Sequence, residues 1–475
     1  MGLFRIFAVL PLFTAAIFVA ANAQAEGTAE TFIAALRDAT NIGPGLSYRS
    51  LENEQDTQDG IVRGLKLARR GATFEVDELR ISGLVNDADG GIRSIDRLAM
   101  DGLDFNGPDD VRLTFHSLSI QQIDIEKLST LVKGNFSIEA LRMLDLGPVH
   151  ALGGALQAGL LTLTSDRLAF NGMEDGRMLA FTVDRGMATN MEDRNRVSFQ
   201  RFAISGFSIE QMARQMMLMR NRGEKRTFDI DAYREAIITG LPFNLQIDQL
   251  EIGLDKGHIS IPKIMADSWL EGEHVMVGSG IIEQVTIDGL GNYADDTSSR
   301  SANTILDAPL TLHATTGFRS DLRTFSQSSE ARLSADNLGR LDIDIEGTAL
   351  DLVDAVAPNL PPSLLSRMVI DYVDRGAVRS VVNDIARSMG MEPQGLAFQI
   401  VTFARLMFPE GVPPRINDAL RAIEDFIAAP GHLTIRANPP QPVSLDGMSA
   451  SQFSLNQLGP LFEKFGIEVN ASAQP

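Results

Sequence analysis

The stretch Phe74-Glu75-Val76-Asp77-Glu78-Leu79-Arg80-Ile81-Ser82-Gly83-Leu84 decides the fold class. Leu79 and Ile81 stand two apart, alternating with Arg80 and Ser82, which is the spacing of a strand with one apolar and one polar face. A helix would put those residues on different sides. Val76 lies three positions before Leu79. In a flat strand that step would turn Val76 to the polar face, so the backbone needs a β-bulge or kink at Asp77-Glu78. Gly83 suits a strand end or a second bulge.

Working outward, the same phrase returns in eight copies. After the first come Ile95-Leu98-Met100-Gly102-Leu103, Phe115-Leu118-Ile120-Ile123, Ile138-Leu141-Met143-Leu146 and Leu168-Phe170-Gly172-Met173. Then follow Phe199-Phe202-Ile204-Gly206-Phe207, Ile247-Leu250-Ile252-Leu254 and Ile282-Val285-Ile287-Gly289-Leu290. Further kinks are expected at Asp96-Arg97 and Gln200-Arg201. The separations run from 19 residues, Val76 to Ile95, up to 48, Phe199 to Ile247. A solenoid would keep its period fixed, so the expected fold is α+β and mainly β, a long curved, mostly antiparallel sheet of bulged strands.

Three regions are expected: 1–25, a signal peptide; 26–350, the repetitive β-rich body with a helical insertion near 209–238; and 351–475, a helical lobe whose strands return to the sheet. The insertion carries Met212, Met216, Met217 and Met219, a core-like spacing that also suits adaptable apolar contacts. Pro358, Pro361 and Pro362 mark the start of the lobe. Helices are then read at Ala377–Met389, Gln394–Met407 and Ile416–Ala429, with flanking strands at Met368–Tyr372 and His432–Asn438.

The first 25 residues have Arg5, an apolar run from Ile6 to Ala20, and small residues at Ala21, Ala23 and Ala25. This reads as a secretory signal cleaved after Ala23 or Ala25, and the expected address is the periplasm of a Gram-negative bacterium. No Cys follows for a lipid anchor, and no later stretch is apolar for long enough to span a bilayer. No integral membrane segment is therefore expected after cleavage.

The chain has 62 acidic and 42 basic residues, a formal charge of -20, which argues against nucleic acid as a partner. With no Cys in 475 residues, no disulfide supports the fold and burial must do so. Phe is unusually frequent, 25 against 4 Tyr and 1 Trp, a ratio unlike the aromatic girdles of an outer-membrane barrel.

Signs of catalysis are weak. The six His residues are scattered, and neither a phosphate loop, a dinucleotide turn nor a nucleophile elbow occurs. Ser260-Ile261-Pro262-Lys263 matches a serine–lysine spacing without its companion motifs. The acidic turns Asp56–Gly60 and Asp87-Ala88-Asp89-Gly90 lack the ligand set of a calcium loop and read as tight turns. No catalytic, metal or cofactor residue is assigned, no cofactor is expected, and the protein is read as a non-enzyme.

The phrases Phe74–Leu84 and Val197–Phe207 resemble those of AsmA-like envelope proteins and of uncharacterised exported proteobacterial proteins, over roughly residues 48 to 350. The resemblance implies a curved sheet whose apolar concave face holds acyl chains, with a role in lipid movement or envelope integrity. The candidate apolar ligand face is Leu79, Ile81, Leu98, Met100, Leu118, Ile120, Leu141, Met143, Phe202, Ile204, Leu250 and Ile252. Two dispositions of this face stay open: a groove for a lipid or other apolar ligand, and a core filled against a second sheet. The alternative function is a structural or assembly partner that binds another envelope protein.

Overall fold

The computed structural model describes residues 27–40, 45–54, 59–69, 71–86, 92–108, 110–125, 147–174, 177–190, 192, 195–208, 230–255, 257–289, 309–350, 362–406, 408, 412–445 and 458–473. The signal segment, the fourth repeat copy, the Met cluster and the acidic turn at 87–90 lie outside these residues. Among them the protein is mainly β, with 21 strands in an open sheet and antiparallel pairings throughout. It falls into two compact units, with the division inside one strand at Gln249/Leu250.

Unit 1 begins with helix α1 (Thr28–Thr40) and two short strands, β1 (Leu46–Ser47) and β2 (Ser50–Asn53). A meander follows: β3 (Gly60–Arg69), β4 (Ala72–Asn86), β5 (Ile92–Asn106), β6 (Val111–Asp124), β7 (Val149–Ala158) and β8 (Leu161–Phe170). Beyond it lie β9 (Met173–Glu174), β10 (Arg177–Asn190) and β11 (Arg196–Ser208). Each of β3 to β7 pairs with the next strand, β8 pairs with β10, and β10 pairs with β11.

The registers explain why one phrase recurs on consecutive antiparallel strands. Its apolar steps are three, two and three, a spacing that reads the same in both directions. Thus Leu79 faces Met100 and Ile81 faces Leu98, while Leu84 faces Ile95 at one end. The next pair repeats this, with Leu103 opposite Phe115, Met100 opposite Leu118, Leu98 opposite Ile120 and Ile95 opposite Ile123.

The expected kinks are present, and in these pairs they insert no residue. Pairing keeps one register from Glu75–Asp104 to Glu78–Asp101, so Asp77 stands opposite Gly102. Gly102 is left-handed, at φ +64°, and a Cβ there would lie 2.2 Å from the Asp77 carboxylate. The recurring Gly is therefore the kink residue, and the Asp three-residue step is its cross-strand neighbour. Both strands shift the phase of their alternation at the same row, so apolar residues on either side of the row keep one face. In the third copy Gln122 takes the left-handed place at φ +51°.

Unit 2 begins with α2 (Ile230–Thr239). The strand β12 (Phe243–Gly253) contributes its part from Leu250 onward. Then come β13 (His258–Glu271), β14 (Val275–Asp288), β15 (Leu310–Asp321), β16 (Ser326–Ala335), β17 (Gly339–Thr348) and β18 (Leu364–Asp374). Helices α3 (Ala377–Ser388), α4 (Pro393–Leu406) and α5 (Pro414–Ala428) follow, then β19 (His432–Ala437), β20 (Val443–Ser444), α6 (Leu458–Phe465) and β21 (Ile467–Ser472). β17 pairs with β18, β18 with β19, and β19 with β21, so the strands that flank the helices extend the antiparallel ladder. Here a true bulge occurs: the β14–β15 register shifts between Ile282 and Val285. Within it Gln284 is left-handed at φ +50°, and its N–H donates to His313 Nδ1 at 3.3 Å.

Candidate apolar binding site

Register places the candidate residues of unit 1 in two adjacent rows that cross the strands. One row runs Leu79, Met100, Leu118, Ala151, Leu168, Val183, Phe202. The other runs Ile81, Leu98, Ile120, Val149, Phe170, Phe181, Ile204. Residues paired directly across strands share a face, so each row is a continuous apolar stripe.

Burial changes along the stripes. Leu79, Ile81, Leu98, Met100, Leu118 and Ile120 are all buried, and they form one cluster with Phe32, Ile33 and Leu36 of α1. These six are buried side chains of the unit 1 core, to which α1 contributes where it packs on β2, β3 and β4. Farther along, Leu168, Phe170, Val183, Phe202 and Ile204 are half-buried. Leu141 and Met143 lie outside the described residues. Leu250 and Ile252 are half-buried in unit 2, where no large apolar side chain of β12, β13 or β14 is buried and Trp269 is exposed.

The half-buried end of unit 1 is rich in Phe. Phe181 meets Phe202 edge-on at 6.3 Å between ring centroids, and Phe199 lies 6.2 Å from Phe202. Phe199 pairs with Gly186 across β10 and β11, and its ring occupies the space that a Gly186 Cβ would need. Phe318 covers Gly278 in the same way in unit 2. A ring over a cross-strand Gly shields backbone that has no side chain of its own. Phe199 and Phe318, two of the 25 Phe, thus have a structural use on their sheets.

The polar groups form contacts of a different kind. Ser260 Oγ donates to Glu251 Oε1 at 2.8 Å, and His258 Nε2 lies 2.6 Å from Glu251 Oε2. Lys263 stands opposite Glu283 on β14. The carboxylate of Glu251, on β12, thus sits between Ser260 and His258, so the serine of the serine–lysine match is bonded to an acid. Asp371 accepts from Thr434 Oγ1 at 2.5 Å and lies 3.3 Å from His432 Nε2, while Thr434 Oγ1 is 3.4 Å from that same nitrogen. A nucleophile relay needs the carboxylate on one ring nitrogen and the hydroxyl on the other. Here both converge on Nε2, so the cluster does not have relay geometry. Nδ1 of His150 is buried without a hydrogen-bond partner. Among the described residues no group of three or more His, Cys, Asp or Glu is placed to hold a metal ion.

The helix that the sequence pattern places at Thr28–Arg37 is present as α1; what the pattern did not show is its packing into the core of unit 1, nor the row members on the strands that carry no copy of the phrase, β7 and β10. Leu168 and Phe170 belong to the fifth copy and could have been included from spacing alone. A protein family described as "Uncharacterized protein" matches residues 332–472, which run from β16 through the helices to β21. No curated protein matches the chain.

Proposed function

We propose that this is a non-enzymatic periplasmic protein that binds and carries an apolar ligand, a lipid tail in particular, in maintenance of the cell envelope. The observation that carries this reading is the fall in burial along one unbroken apolar stripe. At its β4–β6 end the stripe is buried; at its β8–β11 end Phe181 is buried, while Leu168, Phe170, Val183, Phe202 and Ile204 remain half-buried. Water against such a surface is costly, and each methylene that replaces it contributes about 0.8 kcal/mol. A tail of about ten methylenes would thus gain roughly 8 kcal/mol relative to water before the entropy of ordering is counted. Relative to a bilayer interior the gain is small, because both sites are apolar. That balance suits a carrier, which has to release what it binds.

The buried end sets a direction. A tail lying along the stripe stops where the buried core of unit 1 begins, so the ligand is held over β8 to β11. Purifying the mature protein from its native periplasm and analysing extracted lipid by mass spectrometry tests the reading. Stoichiometric lipid, lost in a Phe202→Ser, Ile204→Ser variant that remains folded, is the expected result. A protein that carries no lipid and takes up none from added fatty acid or phospholipid would overturn it.

A further inference from the structure

The α3–α4 hairpin has apolar side chains on the outside as well as the inside. Inward, Val382, Ala386 and Leu396 form a buried cluster with Val378, Met391 and Ile427 against it. Val381 and Ile385, each one position before a buried neighbour, are exposed, as is Met389 just beyond the helix end. On α4, Leu396, Ala397 and Val401 are buried. Phe398, Phe403 and Leu406 are 60, 63 and 76% exposed, the largest values for large apolar residues among the described residues. A helix with apolar side chains on its outer as well as its inner side calls for cover there, and exposed large apolar side chains gathered on one element mark an interaction surface.

Charge identifies the cover. From Arg375 to Leu406 there are four basic residues, Arg375, Arg379, Arg387 and Arg405, and two acidic ones, Asp384 and Glu392, a net of +2. The remainder of the chain has 38 basic and 60 acidic residues, a net of -22. Arg405 is held 3.8 Å from Glu424 of α5 and Arg379 donates to the Pro430 carbonyl at 2.9 Å, whereas Arg375 is exposed and the Arg387 side chain is 79% exposed while within 2.9 Å of Asp384. Large apolar side chains on a short helical element, with local positive charge on a strongly acidic body, match an element that lies in the plane of a bilayer interface. The acidic remainder as a whole is repelled by anionic headgroups, which favours approach through this hairpin.

We propose that α3–α4 docks the protein on a membrane surface containing anionic phospholipid, with Phe398, Phe403 and Leu406 inserted among the headgroups and upper acyl chains. No helix among the described residues is long and apolar enough to cross a membrane, and docking needs none. The inference is independent of the carrier reading, because it concerns the outer face of the helices and can be measured whether or not the protein carries a ligand.

The test is flotation of the full mature chain with vesicles of phosphatidylcholine alone and with vesicles that also contain phosphatidylglycerol. Wild type is expected to float with the mixed vesicles and less with the neutral ones. A Phe398→Ser, Phe403→Ser, Leu406→Ser variant is expected to lose at least about tenfold in bound fraction, since each anchor contributes through its apolar area. These side chains are exposed, so an unchanged melting temperature shows that the loss is local. An Arg375→Gln, Arg387→Gln variant should bind both vesicle types alike. Wild type that stays unbound to mixed vesicles overturns the proposal, as does a triple variant that floats like wild type. Sedimentation as a dimer that the triple variant dissociates, without vesicle binding, would instead assign the face to a second copy of the chain.

Discussion

At the residue scale, two kinds of position have consequences that a count of apolar contacts would not show. Gly102 and Gly206 are both left-handed, at φ +64° and +70°, where a side chain costs about 1–2 kcal/mol on its own. Their surroundings differ. A Cβ on Gly102 would meet the Asp77 carboxylate, which can rotate away, whereas on Gly206 it would lie 1.6 Å from the Pro242 carbonyl oxygen, which is backbone. Gly206→Ala is therefore expected to destabilise more than Gly102→Ala in urea unfolding, and equal midpoints would show that the chain relaxes at both. The second position is Asp374, fully buried, which accepts from the N–H of Val378 at 2.8 Å, the N–H of Arg379 at 3.3 Å and the Tyr372 hydroxyl at 3.1 Å. It holds the start of α3 through the first-turn donors. Burial, followed by the neighbouring Asp374 charge, pushes the Tyr372 hydroxyl up to about 12. Unfolded tyrosine loses its proton near pH 10, so the unfolded state releases a proton first. The contribution of Tyr372 is whole below about pH 10 and is lost as pH rises toward about 12. Melting curves from pH 9 upward should fall more steeply for wild type than for Tyr372→Phe.

At the scale of elements, what the sequence made legible was whatever depends on one strand alone. The steps of two in Leu79–Ile81 and Leu98–Met100 specify strands, and Pro and Gly marks bracket the helices to within a few residues, as at Ala377 and Ala428. The form of the kink was not legible. Whether a step of three inserts a residue depends on the neighbour: in β4–β5 both strands step together and keep register, while in β14–β15 only one does and a bulge results. Nor was accessibility legible, because Leu98 and Phe202 occupy equivalent places in their phrases and yet Leu98 is buried while Phe202 is half-buried. That difference predicts opposite mutant profiles. Leu98→Ala removes a side chain 1% exposed and is expected to cost about 2–5 kcal/mol with little effect on ligand uptake by the folded fraction. Phe202→Ala is expected to cost less stability and to weaken uptake of a fluorescent fatty acid. If Leu98→Ala impaired uptake as much as Phe202→Ala at equal folded fraction, the ligand would have to reach into the buried core of unit 1.

At the scale of the whole molecule, the division into two units makes stability and ligand binding separable. A chain of two compact units need not unfold in a single step, so calorimetry can report two transitions. Each can be assigned by a variant confined to one unit. Leu36→Ala lowers the transition of unit 1 by opening the α1 core, and Asp374→Ala lowers that of unit 2 by removing the support of α3. A ligand over β8–β11 binds only folded unit 1, and at a free concentration of about 100 times its dissociation constant it adds about 2.7 kcal/mol. For about 200 residues that corresponds to a rise of roughly 5–10 °C in the unit 1 transition. The transition that Asp374→Ala lowers should stay in place. Equal shifts of both transitions would mean that unit 2, with its half-buried strands β12 to β14, takes part in binding, and the bound tail would then belong to both units. A shift of the unit 2 transition alone would move the site off the Phe-lined end of the stripe altogether. The measurement therefore locates the ligand without needing its identity, and it does so in the protein whose surface the vesicle experiment probes separately.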